Sequence, residues 1–145
     1  MLAISTFLRL LLASGNKEVV MWSSMIAGYS QSRDSAREAI CLFNQMQMEG
    51  ILPNNATILA VISSCTSLSS LSDGAGVHGY SLKSGLGNDP FIQNALINMY
   101  SKCGSFEDSL RVFNGMTTKD CISWSYVINA YGLHECAGEA LQLFN

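Results

Sequence analysis

VVMWSSMIAGY, residues 19–29, returns as CISWSYVINAY, residues 121–131, and EAICLFN from Glu38 returns as EALQLFN from Glu139. The two offsets, 102 and 101 residues, nearly agree. Two separate matches that keep one register mark a repeat protein rather than a chance likeness. Between them lies FIQNALINMYSKCG from Phe91, whose Ala95-Leu96-Ile97 and Tyr100 fall in step with Ser24-Met25-Ile26 and Tyr29. A weaker copy begins at Asn55, with Ala60-Val61-Ile62 in step and Cys65 at the tyrosine position. The expected units are 19–54, 55–89, 90–120 and an incomplete 121–145, preceded by residues 1–18.

Each unit reads as a pair of helices. Trp22, Met25, Ile26 and Tyr29 recur at helical spacing, a polar run from Ser30 to Asp34 follows, and Ala36, Ala39, Ile40, Phe43 and Met46 or Gln47 resume a second apolar face. Ser35 with Glu38 has the spacing of a capping box, and Ser105 to Asp108 gives a similar start signal. Glu49-Gly50, Ser84-Gly85 and Lys102-Cys103-Gly104 are stop signals, because glycine takes the left-handed conformation that ends a helix. Pro53 and Pro90 stand at or beside unit boundaries, where a missing amide donor does least harm. A helix hairpin that is apolar on more than one side must borrow its neighbour as the opposite wall of its core. The expected fold is therefore all-α, an α-α superhelix of stacked helix-turn-helix repeats, first helices inside and second helices outside.

Composition agrees and excludes several functions. The 145 residues are 48% hydrophobic and 13% charged, which is enough for a packed core and too little charge for disorder. A net charge of −3 argues against nonspecific polyanion binding, which needs clustered Lys and Arg. The five cysteines are odd in number, never form C-x-x-C, and read as small buried apolar residues in a reducing compartment. The run FLRLLLA from Phe7 is too short to span a bilayer. Ile4, Phe7, Leu8, Leu11 and Leu12 instead mark one helical face, a leftover helix from a preceding repeat, with a weak targeting segment as the alternative. Trp22, Tyr29, Tyr100, Trp124 and Tyr131 read as core rather than as a stacking platform. His134-Glu135-Cys136 reads as a turn rather than a metal or nucleophile cluster. No acid pair or nucleophile-base pair stands at a usable spacing. The chain is expected to be no enzyme, with no metal, no cofactor and no small-molecule substrate.

VVMWSSMIAGY, LFNQM at 42–46, MEGILPN at 48–54 and NALINMYSKCG from Asn94 together resemble the pentatricopeptide repeat proteins of plants. The likeness is to the subclass that alternates ordinary, long and short repeats, matching unit lengths of 36, 35 and 31. It covers residues 19–145. A first unit one residue longer than usual points to a bulged turn in SQSRDS from Ser30.

The resemblance implies single-stranded RNA binding, one base per repeat, read by the fifth and last residues of each unit. Those residues are Ser23 and Asn54 in the first unit, Asn94 and Asp120 in the short unit, and Ser125 in the incomplete one. By analogy Ser23 with Asn54 resembles an adenine-preferring pair, and Asn94 with Asp120 a uracil-preferring pair. The long unit offers Leu59 and Asp89; leucine cannot hydrogen-bond, so no base is expected to be read there. Second residues would pack on base faces: Val20, Phe91 and Ile122, with Ala56 offering little surface. Aromatic contacts of this kind are worth ~1–3 kcal/mol each. Against an association cost of ~4–15 kcal/mol, two or three bases give the chain alone no tight binding. The chain is therefore read as a fragment of a longer array. The resemblance further implies a role in organelle RNA processing, modification or editing, in the mitochondrion or the chloroplast, with the mitochondrion placed first, alongside RNA-processing or editing proteins. A helical scaffold for protein–protein interaction is the alternative.

Overall fold

The computed structural model describes residues 18–133. The leftover helix expected before Ser14, the His134-Glu135-Cys136 turn and the apolar end at Leu141, Leu143 and Phe144 lie outside them. Among the described residues seven α-helices follow one another: α1 (Glu18–Ser30), α2 (Ala36–Met48), α3 (Asn55–Leu68), α4 (Leu71–Lys83), α5 (Pro90–Lys102), α6 (Phe106–Gly115) and α7 (Cys121–Leu133). No strand occurs among the described residues. The fold is the expected all-α stack of helical hairpins.

Helix stops fall where the glycines place them. Gly50, Gly85 and Gly104 have φ of 76°, 81° and 87°, the left-handed region that any Cβ disfavours. The turn between α3 and α4 reaches the same region with Ser69, at φ 52°. Helix starts are less simple. The capping box expected at Ser35 and Glu38 is not formed. The extra residue of the first unit is taken up as a short 3-10 turn, Arg33–Ser35, so Ser35 is already coiled when α2 begins. Its hydroxyl donates back to the Tyr29 carbonyl at 2.7 Å, and Glu38 Oε2 stays buried without a partner. Ser105 likewise makes no side-chain cap; it donates to the Asp108 carboxylate.

First helices pack on one another in chain order, α1 on α3, α3 on α5 and α5 on α7. Each second helix packs mainly on the first helices of its own and the following unit. This produces a continuous inner layer and a more open outer one, the geometry of a curved solenoid. First helices are thus walled on both sides and carry apolar residues most of the way round: Trp22 and Ile26 in α1, Ile58, Val61 and Ile62 in α3, Ile92, Leu96 and Ile97 in α5, all at most 1% exposed. The second helices keep a narrower stripe, in α2 Ala36, Ala39, Ile40, Phe43 and Met46, so the second face ends on Met46 rather than Gln47. The outer layer is joined by an edge-on contact of Phe43 with Tyr80 and by an Arg37–Asp73 ion pair at 2.8 Å.

Trp22, Tyr100 and Tyr131 are buried, and Tyr29 and Trp124 half-buried, Trp124 edge-on to Phe113, so the aromatic residues belong to the core. The reading of all cysteines as buried needs correction. Cys65 is buried at the tyrosine position, and burial pushes its thiol up to about 12. Cys103 is half-buried, whereas Cys41 and Cys121 face solvent, because they occupy outward positions of α2 and α7. All four are free thiols.

Candidate nucleic-acid interface

The inner layer brings the first turns of α1, α3, α5 and α7 into one row. Residues three apart on a helix share a face, so Val20 sits beside Ser23, Phe91 beside Asn94 and Ile122 beside Ser125. Val20, Phe91 and Ile122 are among the few large apolar side chains left open, at 63%, 70% and 48% exposure. Each stands at the lip of its helix rather than in the core. Ala56 occupies the corresponding place on α3 and is also exposed.

Behind them the polar residues are tied together across unit boundaries. Ser23 is buried, its Oγ 2.6 Å from Thr57 Oγ1 and 3.4 Å from Asn54 Oδ1. Asn54 is the N-cap of α3 and completes a capping box: its Oδ1 accepts from the Thr57 amide at 3.0 Å, while its own amide donates to Thr57 Oγ1 at 3.1 Å. The arrangement recurs between α5 and α7. Asn94, also buried, accepts from Ser123 Oγ at 2.6 Å and donates from Nδ2 to Asp120 Oδ1 at 3.4 Å. Asp120 caps α7, accepting from the Ser123 amide at 2.9 Å and donating its own amide to Ser123 Oγ at 3.3 Å. The Ser123 amide, then the Ser123 hydroxyl, hold the Asp120 carboxyl below the usual carboxylate range.

The predicted partners Ser23 and Asn54, and Asn94 and Asp120, are therefore brought together, and Asn54 and Asp120 are helix caps as well. Ser125 differs. It is exposed and donates to the Cys121 carbonyl one turn back, at 2.7 Å. The long unit has no such polar cluster. Leu59 packs against the core, Ile92 is fully buried where Thr57 and Ser123 stand in the other units, and Asp89 turns to its own helix start and to the Asn55 side chain.

Thr57 and Ser123 do not stand out in the sequence as site residues. The signals were present as N-x-x-T at 54–57 and D-x-x-S at 120–123, capping spacings with a hydroxyl residue in place of Glu or Gln. A polar furrow lined by Ser63, Asn98, Lys102 and Tyr126 continues along α3, α5 and α7. Among the described residues no group of His, Cys, Asp and Glu could hold a metal ion, and no helix is long and apolar enough to cross a membrane.

A family model described as PPR repeat family matches residues 17–67, and one described as PPR repeat matches residues 94–121 and 122–145. The chain belongs to the pentatricopeptide repeat family. Among its relatives in Arabidopsis thaliana, the mitochondrial pentatricopeptide repeat-containing protein At4g31070 is 48% identical over 88% of this chain and 20% of its own length. The mitochondrial At1g06140 is 41% identical over 91% of this chain and 24% of its own. The chloroplastic DOT4 is 43% identical over 89% and 15% respectively. The chain thus spans about a fifth of the length of these relatives. Among solved structures, the pentatricopeptide repeat protein PPR10, crystallised with an 18-nt psaJ RNA element, superposes with a TM-score of 0.72 at 18% identity, over 97% of this chain and 21% of PPR10. That likeness confirms the solenoid fold.

Proposed function

We propose that this chain is a single-stranded RNA-binding segment of an organellar pentatricopeptide repeat protein, of the kind that alternates ordinary, long and short repeats. One observation carries the reading: exposed Val20, Phe91 and Ile122 line one inner row, and behind the first two stand the paired polar groups Ser23/Asn54 and Asn94/Asp120. An open apolar side chain beside a hydrogen-bonding pair suits a base held by its face and read along its edge. Family membership and the PPR10 fold support it, and the mitochondrial and chloroplastic names of relatives support an organellar setting. The short second helix α6, 10 residues against 13 in α2 and α4, supports the short-repeat assignment. In this reading the segment recognises a transcript, and RNA processing or editing is the work of other domains or partners.

The test is an NMR titration of the full chain with short RNAs differing at single bases. Binding should perturb Val20, Phe91 and Ile122, and Asn94→Ala or Asp120→Ala should weaken binding to the preferred strand with little change in helicity, the Asp120 variant also losing the α7 cap. Equal loss with every sequence, or no binding by the wild type even at high RNA concentration, would turn the reading toward a protein-binding scaffold.

A further inference from the structure

The buried hydroxyls of Thr57 and Ser123 are the only side chains that bridge the two members of each polar pair among the described residues, and each belongs to the unit after the one it touches. We propose that the third residue of a unit is a positioning residue for base reading in the unit before it: its hydroxyl sets which hydrogen-bonding edge Ser23 or Asn94 turns toward RNA. The proposal rests on the RNA-binding reading above and adds a third residue, across the boundary, to each reading pair.

The argument begins with Asn94. An asparagine amide fits its site in two orientations related by a half-turn, nearly identical in shape and opposite in chemistry. Here Oδ1 lies 2.6 Å from Ser123 Oγ and Nδ2 lies 3.4 Å from Asp120 Oδ1. The half-turn would set the amide oxygen against the Asp120 carboxylate, acceptor facing acceptor. The longer Asp120 contact is a weak restraint, and the short Ser123 contact the strong one. Ser123 Oγ accepts the Asp120 amide proton and lies 2.9 Å from Asp120 Oδ1 as well as 2.6 Å from Asn94 Oδ1; because Asn94 Oδ1 has no proton to give, the shorter contact is filled by the single Ser123 proton. Nδ2 then faces the row with one N–H engaged by Asp120 and one remaining to donate. Asn94 therefore offers a donor, which selects bases presenting a keto oxygen over those presenting an amino group.

In the first unit the same logic gives the opposite sign. Thr57 Oγ1 accepts the Asn54 amide at 3.1 Å and lies 2.9 Å from Asn54 Oδ1, an acceptor. Its single proton goes to Asn54, so the 2.6 Å contact is filled by the Ser23 proton. The chain of donors runs Ser23 to Thr57 to Asn54, and Ser23 Oγ keeps only lone pairs for a base. Ser23 thus offers an acceptor, which selects bases presenting an amino group. At the long unit Ile92 holds the third position and Leu59 the fifth, so neither the reading group nor its positioner exists.

The full chain is compared with Ser123→Ala and Ser123→Thr, titrated with RNAs that differ only by uracil or cytosine at the base facing the third unit. The wild type should prefer uracil. Ser123→Ala should lower that preference about fivefold, the worth of one ordinary hydrogen bond, with a smaller change in average affinity. Ser123→Thr should restore it. In RNA-free 15N spectra the Asn94 side-chain amide should be single in the wild type and broadened or doubled in Ser123→Ala. A wild-type base preference retained in Ser123→Ala, or an Asn94 amide signal unmoved by it, would overturn the positioning role and leave the RNA reading standing. A wild type that binds neither RNA would overturn both.

Discussion

Where α3 meets α5, the chain solves the same packing problem as where α1 meets α3 and α5 meets α7, with inverted chemistry. The two flanking junctions bury serine, asparagine and threonine in a hydrogen-bonded set; the middle one buries Ile92 beside Leu59. A stacked hairpin evidently needs either arrangement and no more. Burying a polar group costs stability unless it is hydrogen-bonded, and each flanking junction ties its groups together with three residues drawn from two units, leaving one Asn94 N–H and the Ser23 lone pairs toward the inner row. The apolar junction has nothing to match. On the proposed reading, the polar groups at two of the three junctions serve a ligand at the surface as well as the stack.

The comparison can be broken most severely in the middle. Ile92→Ala should cost about 2–5 kcal/mol in urea unfolding, the usual penalty for emptying a fully buried isoleucine site, with no effect on the flanking hydrogen bonds. Thr57→Val keeps shape and removes the hydroxyl, so it should cost about 1–3 kcal/mol by stranding Ser23. Adding Ser23→Ala should return part of that loss, since the junction then resembles its apolar counterpart; a double variant as unstable as the sum of the two singles would refute the equivalence. Asn55→Ala, which removes the exposed partner of Asp89, should cost only about 0.5–1 kcal/mol. The smallest effect is in acid. Because Asp120 titrates below its ordinary value of 3.8 when folded, its contribution is whole above that value and fades as pH falls through the folded one. Thermal melts across this range should show a shallower acid loss in Asp120→Asn than in wild type.

A second titration separates the outer layer from the inner. His78 contacts the Tyr100 hydroxyl at 2.7 Å, and burial lowers its pKa from 6.5. The unfolded chain binds the proton more readily, so stability is complete above 6.5 and declines as pH falls below it. His78→Gln should flatten that decline.

Much of this is legible in the sequence. The helix pairs and the glycine stops at Gly50, Gly85 and Gly104 follow from local sequence, because helical periodicity and left-handed turns are local properties; the second residues Val20, Phe91 and Ile122 follow only from the family resemblance. Ser69 was not legible: serine does not announce a left-handed φ, and the turn is imposed by docking α4 onto α3. The failed box at Ser35 shows one added residue defeating a correct spacing. Thr57 and Ser123 are silent in the sequence for a different reason. Their partners Ser23 and Asn94 lie 34 and 29 residues away, and a hydroxyl three places into a helix is too common to signal a bond across units.

The dual position of Asn54 and Asp120 limits how such a protein can change its target. Each opens the next helix and, on the proposed reading, also faces the transcript, so a substitution there edits two scripts at once. Only the few side chains that start helices well, Asn, Asp, Ser and Thr, satisfy both. The alphabet available at that place is thus set by helix initiation before any nucleotide is consulted, and a drift in target that called for a long or apolar residue there would first loosen the stack.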